Sequence, residues 1–110
     1  MSTLWVDLSI PLSSYSVVEM FTLVIYDISD DDLRARVAQV CKRFGLVRVQ
    51  RSAFSGRIPS SLRREMVSVL SKIVEGTEDN IQVYVVCEPD MSLRVELGKP
   101  FKGEESDMLV

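Results

Sequence analysis

The order of apolar and polar positions predicts strands and helices in alternation along most of this chain. Residues 21–27 (FTLVIYD) form a short apolar run with polar residues after it, which predicts a central strand buried on both faces. The apolar positions that follow are spaced by four, three, one and three residues: Leu33, Val37, Val40, Cys41 and Phe44. That spacing predicts a helix with one apolar side, ended by Gly45.

The second half of the chain repeats this alternation. Residues 46–54 predict an extended segment, and Ser55-Gly56-Arg57 predicts a turn, a bulge or a short return strand. Pro59 opens a second helical pattern that ends near Gly76. Residues 81–87 predict another buried strand. Residues 93–97, in which Leu93, Val95 and Leu97 alternate with charged residues, predict a half-buried last strand.

This order of elements predicts an α+β fold, the ferredoxin-like split βαβ sandwich with an antiparallel sheet and two helices on one face. The predicted organisation is an N-terminal extension at 1–19, a single domain at 20–98 and a polar, acidic tail at 99–110. The last strand has no obvious partner within the domain. Because an isolated edge strand must pair, be covered or join another chain, exchange with a second subunit is the expected solution.

Composition excludes several kinds of site. The chain has no histidine, so Ser-His and Cys-His catalysis and His-ligated metal sites are excluded. Cys41 and Cys87 lie in apolar stretches without a CxxC motif, which predicts two buried thiols in a reducing cytoplasm. No apolar run approaches the roughly 18–20 residues that cross a bilayer, and no secretory signal is recognisable. We therefore expect a cytoplasmic protein without a membrane partner.

The net charge of −3 conceals a strong segregation of charge. The stretch from Leu33 to Arg64 contains no acidic residue, and its basic residues number nine: Arg34, Arg36, Lys42, Arg43, Arg48, Arg51, Arg57, Arg63 and Arg64. Such a stretch between acidic ends is typical of a phosphate-binding face. The alternative, equally compatible with this charge pattern, is that these residues lie on solvated helix faces that bind no phosphate.

Two acidic residues near the first strand carry candidate chemistry. Asp27 closes the apolar strand. Its position alone favours a turn residue that accepts backbone N–H groups. The alternative is a carboxylate ligand of a divalent cation. Asp30 fits a helix N-cap better than an outer ligand of a metal.

The ordered combination of these residues resembles a known family, the small subunit of the CRISPR spacer-acquisition complex. The resemblance covers residues 20–97 and rests on three groups: Tyr26-Asp27-Ile28, then Leu33-Arg34 with Arg36-Val37, then Arg48-Val49-Gln50 with Ser52 and Phe54. It implies a homodimer of ferredoxin-like domains that exchange C-terminal strands. It also implies a partner, the integrase subunit, and nucleic-acid substrates, either double-stranded DNA or single-stranded RNA.

The same resemblance implies roles for individual residues. Asp27 falls on the family's metal-site aspartate and is the candidate catalytic residue, with Mg²⁺ or Mn²⁺ as cofactor. Arg34, Arg36 and Arg48 fall on its nucleic-acid-binding arginines, and their guanidinium groups suit phosphate oxygens. Taken from the residues alone, these arginines could instead pack their stems on the sheet. Phe54 falls on the family's aromatic position, with burial in the core or dimer interface expected over base stacking.

Three functions remain open on this reading: a non-catalytic DNA-binding integrase partner, a metal-dependent endonuclease on the same dimer, and an unrelated ferredoxin-like module. The unrelated module would be a regulatory domain that binds a small ligand or RNA. The aromatic, glycine-containing third strand of RNA-recognition domains is absent, and a ligand sensor needs no uninterrupted basic stretch.

Overall fold

The computed structural model describes residues 19–101 and shows a four-stranded sheet with two long helices. The strands are β1 (Glu19–Asp27), β2 (Val47–Gln50), β3 (Ala53–Pro59) and β4 (Asn80–Val86). The helices are α1 (Asp31–Arg43), α2 (Ser60–Val74) and the one-turn α3 (Glu88–Met91). Residues 1–18 and 102–110, which hold most of the predicted extension and tail, lie outside the described residues. The domain boundaries therefore stay predictions.

The sheet has the strand order β2-β3-β1-β4, and all three pairings are antiparallel. The connection from β1 through α1 to β2 places the β2–β3 hairpin on one side of β1. The connection from β3 through α2 then places β4 on the other side. This is the predicted split βαβ arrangement, and the predicted ferredoxin-like α+β fold is confirmed.

One face of the sheet, which we name the closed face, packs against both long helices. Its strand residues include Val24, Tyr26 and Phe54, and the last of these is fully buried. Val37 and Cys41 of α1, together with Met66 and Leu70 of α2, complete this core. Phe54 is therefore a core residue, as expected, and base stacking by its ring is excluded by its burial.

The opposite face, which we name the open face, is covered by no long helix of residues 19–101. Along β1, Thr22, Val24 and Tyr26 are buried, whereas the alternate residues on the open face are not. The open-face residues include Phe21, Leu23, Ile25 and Asp27 of β1, Val47 and Val49 of β2, Ala53, Ser55 and Arg57 of β3, and Asn80, Gln82, Tyr84 and Val86 of β4. The prediction that β1 is buried on both faces is therefore wrong for the single chain, since helices cover only one side.

Helix α1 begins and ends as its sequence predicts. Asp30 is the N-cap, and its Oδ2 accepts a hydrogen bond from the Leu33 amide at 2.9 Å. Asp31 and Asp32 lie in the first turn and Lys42 and Arg43 in the last, so their charges complement the helix dipole. Gly45 follows the helix at a φ of 99°, a left-handed conformation that residues with a Cβ rarely adopt.

The hairpin turn lies earlier than the glycine suggests. Arg51 and Ser52 form the turn, and Ser55-Gly56-Arg57 lies within β3. Of the three alternatives for this tripeptide, the return strand is correct. Gly56 is required there by packing, because a Cβ at this position would lie 3.1 Å from Cδ2 of Leu46 and 3.2 Å from the Gly45 carbonyl oxygen.

The C-terminal part of the domain departs from the predicted pattern. β4 is an edge strand, and Tyr84 and Val85 are 48% and 43% exposed, so its predicted full burial is wrong. Leu93, Val95 and Leu97 form no strand and are at least 76% exposed. No strand of residues 19–101 pairs with these residues. Their exchange into a second chain stays a prediction.

Cys87 also departs from expectation. It is exposed, because it follows β4 as the N-cap of α3 rather than lying inside the sheet, and its Sγ lies 3.1 Å from Oδ2 of Asp90. Cys41 is buried as predicted.

Between residues 19 and 101, no helix is both long enough and apolar enough to cross a lipid bilayer.

Candidate functional site

Asp27 lies at the end of β1, on the open face, and is exposed to solvent. It pairs with Asn80 at the start of β4 and continues the row of apolar side chains formed by Phe21, Leu23 and Ile25. The next residue, Ile28, is 4% exposed and anchors the chain in the core as it turns toward α1. The strand therefore presents one carboxylate at the rim of an apolar surface.

The side chains of Asp79 and Arg34 hold the loop after Asp27. The Ser29 amide donates to Oδ1 of Asp79 at 3.3 Å. Arg34 donates from Nη1 to the carbonyl oxygens of Ile28 and Ser29, at 3.1 and 2.9 Å, and its Nη2 forms an ion pair with Asp31. Arg34 thus fixes the loop that carries the chain away from Asp27. Asp30 is a helix cap, as the sequence favours.

Arg48 is placed by stacked aromatic rings on the closed face. Tyr26 stacks on Phe54 with centroids 6.3 Å apart, and the Arg48 guanidinium carbon lies 4.9 Å from the Phe54 centroid. This cation–π geometry orients the guanidinium group. Its Nη1 also donates to the Arg51 carbonyl oxygen at 2.6 Å, so the hairpin turn fixes the same side chain.

Arg34 and Arg48 meet in one surface depression, which we name the arginine hollow. It is lined by Tyr26, Asp31, Arg34, Ala35, Ala38, Arg48 and Arg51. Arg51 is the residue that sequence reasoning missed as a site residue. The signal that could have found it was the hairpin itself, because a turn at Arg51 and Ser52 brings this side chain beside Arg48. Three cations and one acidic residue here favour an anionic ligand.

Arg36 lies elsewhere. Residues two apart on a helix point to different sides, so Arg34 and Arg36 lie on opposite flanks of α1. Arg36 lines a second depression, which we name the helix groove, between α1 and α2. The groove is lined by Arg36, Gln39, Val40, Arg43, Val69, Lys72 and Ile73. The three predicted nucleic-acid-binding arginines are thus divided between two surfaces.

Cys41 is a buried residue of α1 and lines neither the arginine hollow nor the helix groove. Burial raises the pKa of its thiol to about 12, against the opposing effect of the nearby Arg48 charge. The thiol is therefore protonated at neutral pH and is a poor nucleophile.

The donor set of residues 19–101 does not by itself fit a divalent cation. Mg²⁺ and Mn²⁺ prefer several oxygen ligands, and within these residues no three acidic or cysteine side chains come together in a way that could hold a metal ion. A metal site at Asp27 needs further oxygen ligands beyond those that this part of the chain brings together.

Comparison with known proteins places these features in a family. The family model described as CRISPR associated protein Cas2 matches residues 20–93. The CRISPR-associated endoribonuclease Cas2 of Korarchaeum cryptofilum is 40% identical over 77 residues, which are 70% of this chain and 83% of that protein.

Two further comparisons agree. A Cas1/Cas2 endonuclease fusion from Thermoproteus tenax is 38% identical over 84 residues, covering 74% of this chain and 32% of the fusion protein. The crystal structure of Streptococcus pyogenes Cas2 superposes with a TM-score of 0.61 at 25% identity, covering 72% of this chain and all of that one.

Proposed function

The chain belongs to the Cas2 family, and from that premise we propose that it is a homodimeric subunit of the CRISPR spacer-acquisition machinery that binds and cleaves nucleic acid. The observation that carries the proposal is the position of Asp27. It is an exposed carboxylate on the open face, at the end of an apolar row that suits contact with a second copy. Two copies joined through this face bring two such carboxylates toward each other.

The open face supports the homodimer. Phe21, Leu23, Val49 and Val86 line one broad depression on it, whose remaining lining includes the charged residues Arg57, Glu88, Asp90 and Arg94. Ile25 and Tyr84 on the same face are 39% and 48% exposed. Exposed apolar residues bordered by polar ones are typical of a protein–protein interface. A two-fold interface is self-complementary, so the same patch serves both subunits.

The exposed C-terminal residues fit the same assembly. Leu93, Val95 and Leu97 keep the alternation of a strand while standing free of the domain. In the part of the chain that the structure describes, β2 and β4 are the edges of the sheet, and an edge strand offers backbone groups to a further strand. We assign residues 93–97 to strand exchange with the partner subunit.

The arginine hollow supports nucleic-acid binding. Carbonyl groups fix the guanidinium groups of Arg34 and Arg48, and the Phe54 ring also contacts that of Arg48. Arg51 lines the same hollow. Guanidinium groups held in this way match the paired oxygens of phosphates. Double-stranded DNA and single-stranded RNA share this phosphate chemistry, and both are proposed substrates.

The metal dependence is proposed for the dimer and not for one chain. Asp27 of each copy, with substrate oxygens, would add to the few oxygen ligands that residues 19–101 of one chain bring together, and Asp27 is the proposed catalytic residue. When bound there, Mg²⁺ or Mn²⁺ supplies positive charge that offsets the charge of a phosphodiester. Because the chain has no histidine, proton transfer falls to solvent, and we expect slow turnover.

The proposed macromolecular partner is a Cas1 integrase subunit. The Thermoproteus tenax relative carries Cas1 and Cas2 in one polypeptide, which supports a working partnership between the two kinds of chain. The free thiols of Cys41 and Cys87 suit the reducing cytoplasm, where we place the complex.

The test is cleavage of labelled single-stranded RNA and duplex DNA with Mg²⁺, Mn²⁺ or EDTA. We expect cleavage only with metal, and loss to background in Asp27→Ala while the dimer persists. Asp32→Ala is the matched control, since Asp32 is also exposed, five residues away, and is not the helix cap. Cleavage that survives in EDTA or in Asp27→Ala would contradict the assignment.

A second function, that of a non-catalytic integrase partner, is favoured by the small number of carboxylates at the site. One carboxylate per chain is a weak cation site. Binding of duplex DNA without cleavage in any metal would identify this function, and the nucleic-acid site would then stand without Asp27 chemistry.

A further inference from the structure

The helix groove is a basic surface to which the proposed function gives no role. Arg36 and Arg43 of α1 and Lys72 of α2 are exposed and line it, and none of its lining residues is acidic. In the part of the chain that the structure describes, these three side chains form neither ion pairs nor hydrogen bonds. Arg34 and Arg57 differ, because each has a carboxylate partner. The groove therefore presents three positive charges without a neighbouring negative one.

The rest of the lining suits a polar ligand. Val40 and Ile73 are only 6% and 9% exposed, so an apolar ligand would bury little additional area against them. Gln39 is exposed in the same lining and adds an amide that can donate hydrogen bonds. The groove thus offers a ligand mainly hydrogen-bond donors, most of them charged, and an anion is the complementary partner.

The cations are distributed along the groove. Arg43 follows Arg36 by seven residues. At about 3.6 residues per turn and 1.5 Å per residue, the two lie on the same side of α1, about 10 Å apart along its axis. Lys72 lies on the other wall, which α2 forms. Each strand of duplex DNA carries a phosphate about every 3.4 Å along the axis, so the two arginines span about three phosphates. A row of charges fits this arrangement better than one small anion.

The lining also favours a duplex over a single strand. Proteins that hold single-stranded DNA or RNA commonly stack the bases on aromatic side chains. None of the residues that line the helix groove is aromatic. A duplex keeps its bases stacked on one another and presents its phosphates outward, where cations and amide groups are sufficient for binding.

We propose that the helix groove is a second contact for the phosphate backbone of duplex DNA, an inference that rests on the proposed nucleic-acid binding and extends it to Arg43 and Lys72. Together with Arg36, these residues contact the backbone on one flank of α1. The arginine hollow, which contains Arg34, contacts it on the opposite flank. Phosphate contacts carry no sequence information, so the groove holds duplexes of any sequence.

The test is fluorescence anisotropy of labelled duplex DNA titrated with the full chain at several salt concentrations. Lys72→Gln removes one cation and should reduce the slope of log affinity against log salt by about 1, equally for duplexes of different sequence. Combining it with Arg36→Gln and Arg43→Gln should reduce the slope by about 2–3. Arg64→Gln is the matched control, because Arg64 is an exposed cation of α2 outside the groove, and it should leave the slope nearly unchanged.

Two further measurements guard against other causes of a loss. The urea midpoints of the variants should equal that of the unsubstituted chain, because the three groove side chains are exposed and have no partner among residues 19–101. Arg51→Ala removes a cation from the arginine hollow instead. When it is combined with Lys72→Gln, the two fold-changes in affinity should multiply, because separate sites contribute independently. The buffer contains no divalent metal, so the outcome is independent of cleavage at Asp27.

The possible outcomes distinguish the groove from the function as a whole. A chain that binds no duplex DNA at any salt concentration would overturn both. Duplex binding that Arg51→Ala weakens but the triple groove variant leaves intact would overturn only the groove assignment. If that triple variant also bound a purified Cas1 integrase more weakly, the groove would belong to the protein partner instead. An equal loss of affinity for a single-stranded oligonucleotide of the same length would overturn the choice of a duplex.

Discussion

The two faces of this sheet are built from alternate residues of the same strand but have opposite roles. Along β1, Val24 and Tyr26 lie in a core closed by two helices, whereas Leu23 and Ile25 face outward without a long helix over them. Both sets are apolar. The difference teaches that hydrophobicity on this strand serves two associations: folding of the chain on one side and, as we propose, joining of two chains on the other.

The largest effect is expected on the closed face. Phe54→Ala removes the most central aromatic ring, fully buried beneath Arg48 and beside Tyr26, and should lower the free energy of unfolding by about 3–5 kcal/mol. Urea denaturation measures this loss. Phe54→Leu, which keeps much of the volume, should lose clearly less. Equal losses in the two variants would show that packing is not what this position provides.

On the open face, the expected effect of a substitution is on the affinity of the dimer. Ile25→Asp places a charge on the proposed interface and should weaken the dimer at least about a hundredfold, because each chain buries one added carboxylate and about 1.4 kcal/mol is a factor of ten. Sedimentation equilibrium measures this. Val67→Asp on α2 is the matched control, since the two side chains are 39% and 40% exposed. An equal effect of both substitutions would remove the open face from the interface.

The arginine hollow, on the closed-face side of the β2–β3 hairpin, should bind phosphates through its guanidinium groups. If Arg34 and Arg48 of both chains contact four phosphates, duplex affinity should fall about a hundredfold between 50 and 200 mM salt. Arg51→Ala should weaken binding while keeping the carbonyl group that fixes Arg48. Arg64→Ala, an exposed arginine on α2 outside the hollow, should have less effect in fluorescence anisotropy. Affinity indifferent to salt would contradict phosphate binding.

The helix that closes the core should depend on its cap. Asp30→Ala removes the acceptor for the Leu33 amide and should cost about 1 kcal/mol of unfolding free energy. Asp32→Ala, in the same first turn without a capping contact, should cost less. A loss no greater than that of the control would contradict the capping role.

The smallest effect is expected at the rim of the open face, where Arg57 and Glu88 form an exposed ion pair. The hydrogen bond from Arg57 lowers the pKa of the Glu88 carboxyl below its usual 4.5. A lowered pKa stabilises the fold above pH 4.5, and that contribution is lost as the pH falls through the folded-state value. Glu88→Gln should therefore lower the urea midpoint slightly at pH 7 but not in strong acid. The control, Glu78→Gln, should leave the urea midpoint unchanged at both pH values. A pH-independent difference would contradict the pairing.

The sequence predicted the helices and the order of elements, because their caps and spacings are local. Asp30 and Gly45 bound α1 as expected. The two faces of β1 could not be distinguished, because both carry apolar residues and the alternation is hidden in residues 21–27. Exposed Leu93, Val95 and Leu97 have the pattern of a strand, but a strand forms only where a second edge completes its hydrogen bonds.

The candidate site could be predicted only in part, because only some of its features depend on local sequence. Arg34 and Arg36 on opposite flanks of α1 follow from helix geometry alone. The meeting of Arg48 and Arg51 with Arg34 depends on where the hairpin turns, and neither turn residue is a glycine, proline or asparagine. Gly56, the residue that suggested a turn, is instead a packing requirement against Leu46. Asp27 was placed correctly at the strand end, and its pairing with a second copy stays a prediction.

The central claim is that the open faces of two chains meet and bring their Asp27 residues together. Pulsed dipolar electron spin resonance tests it, with spin labels on Asp27→Cys in a Cys87→Ser background, where Cys41 is buried and unreactive. The account predicts a single interspin distance, shorter than the distance between labels on Val67→Cys at the outer surface of α2. Absence of dipolar coupling at residue 27, or a distance longer than that at residue 67, would contradict it.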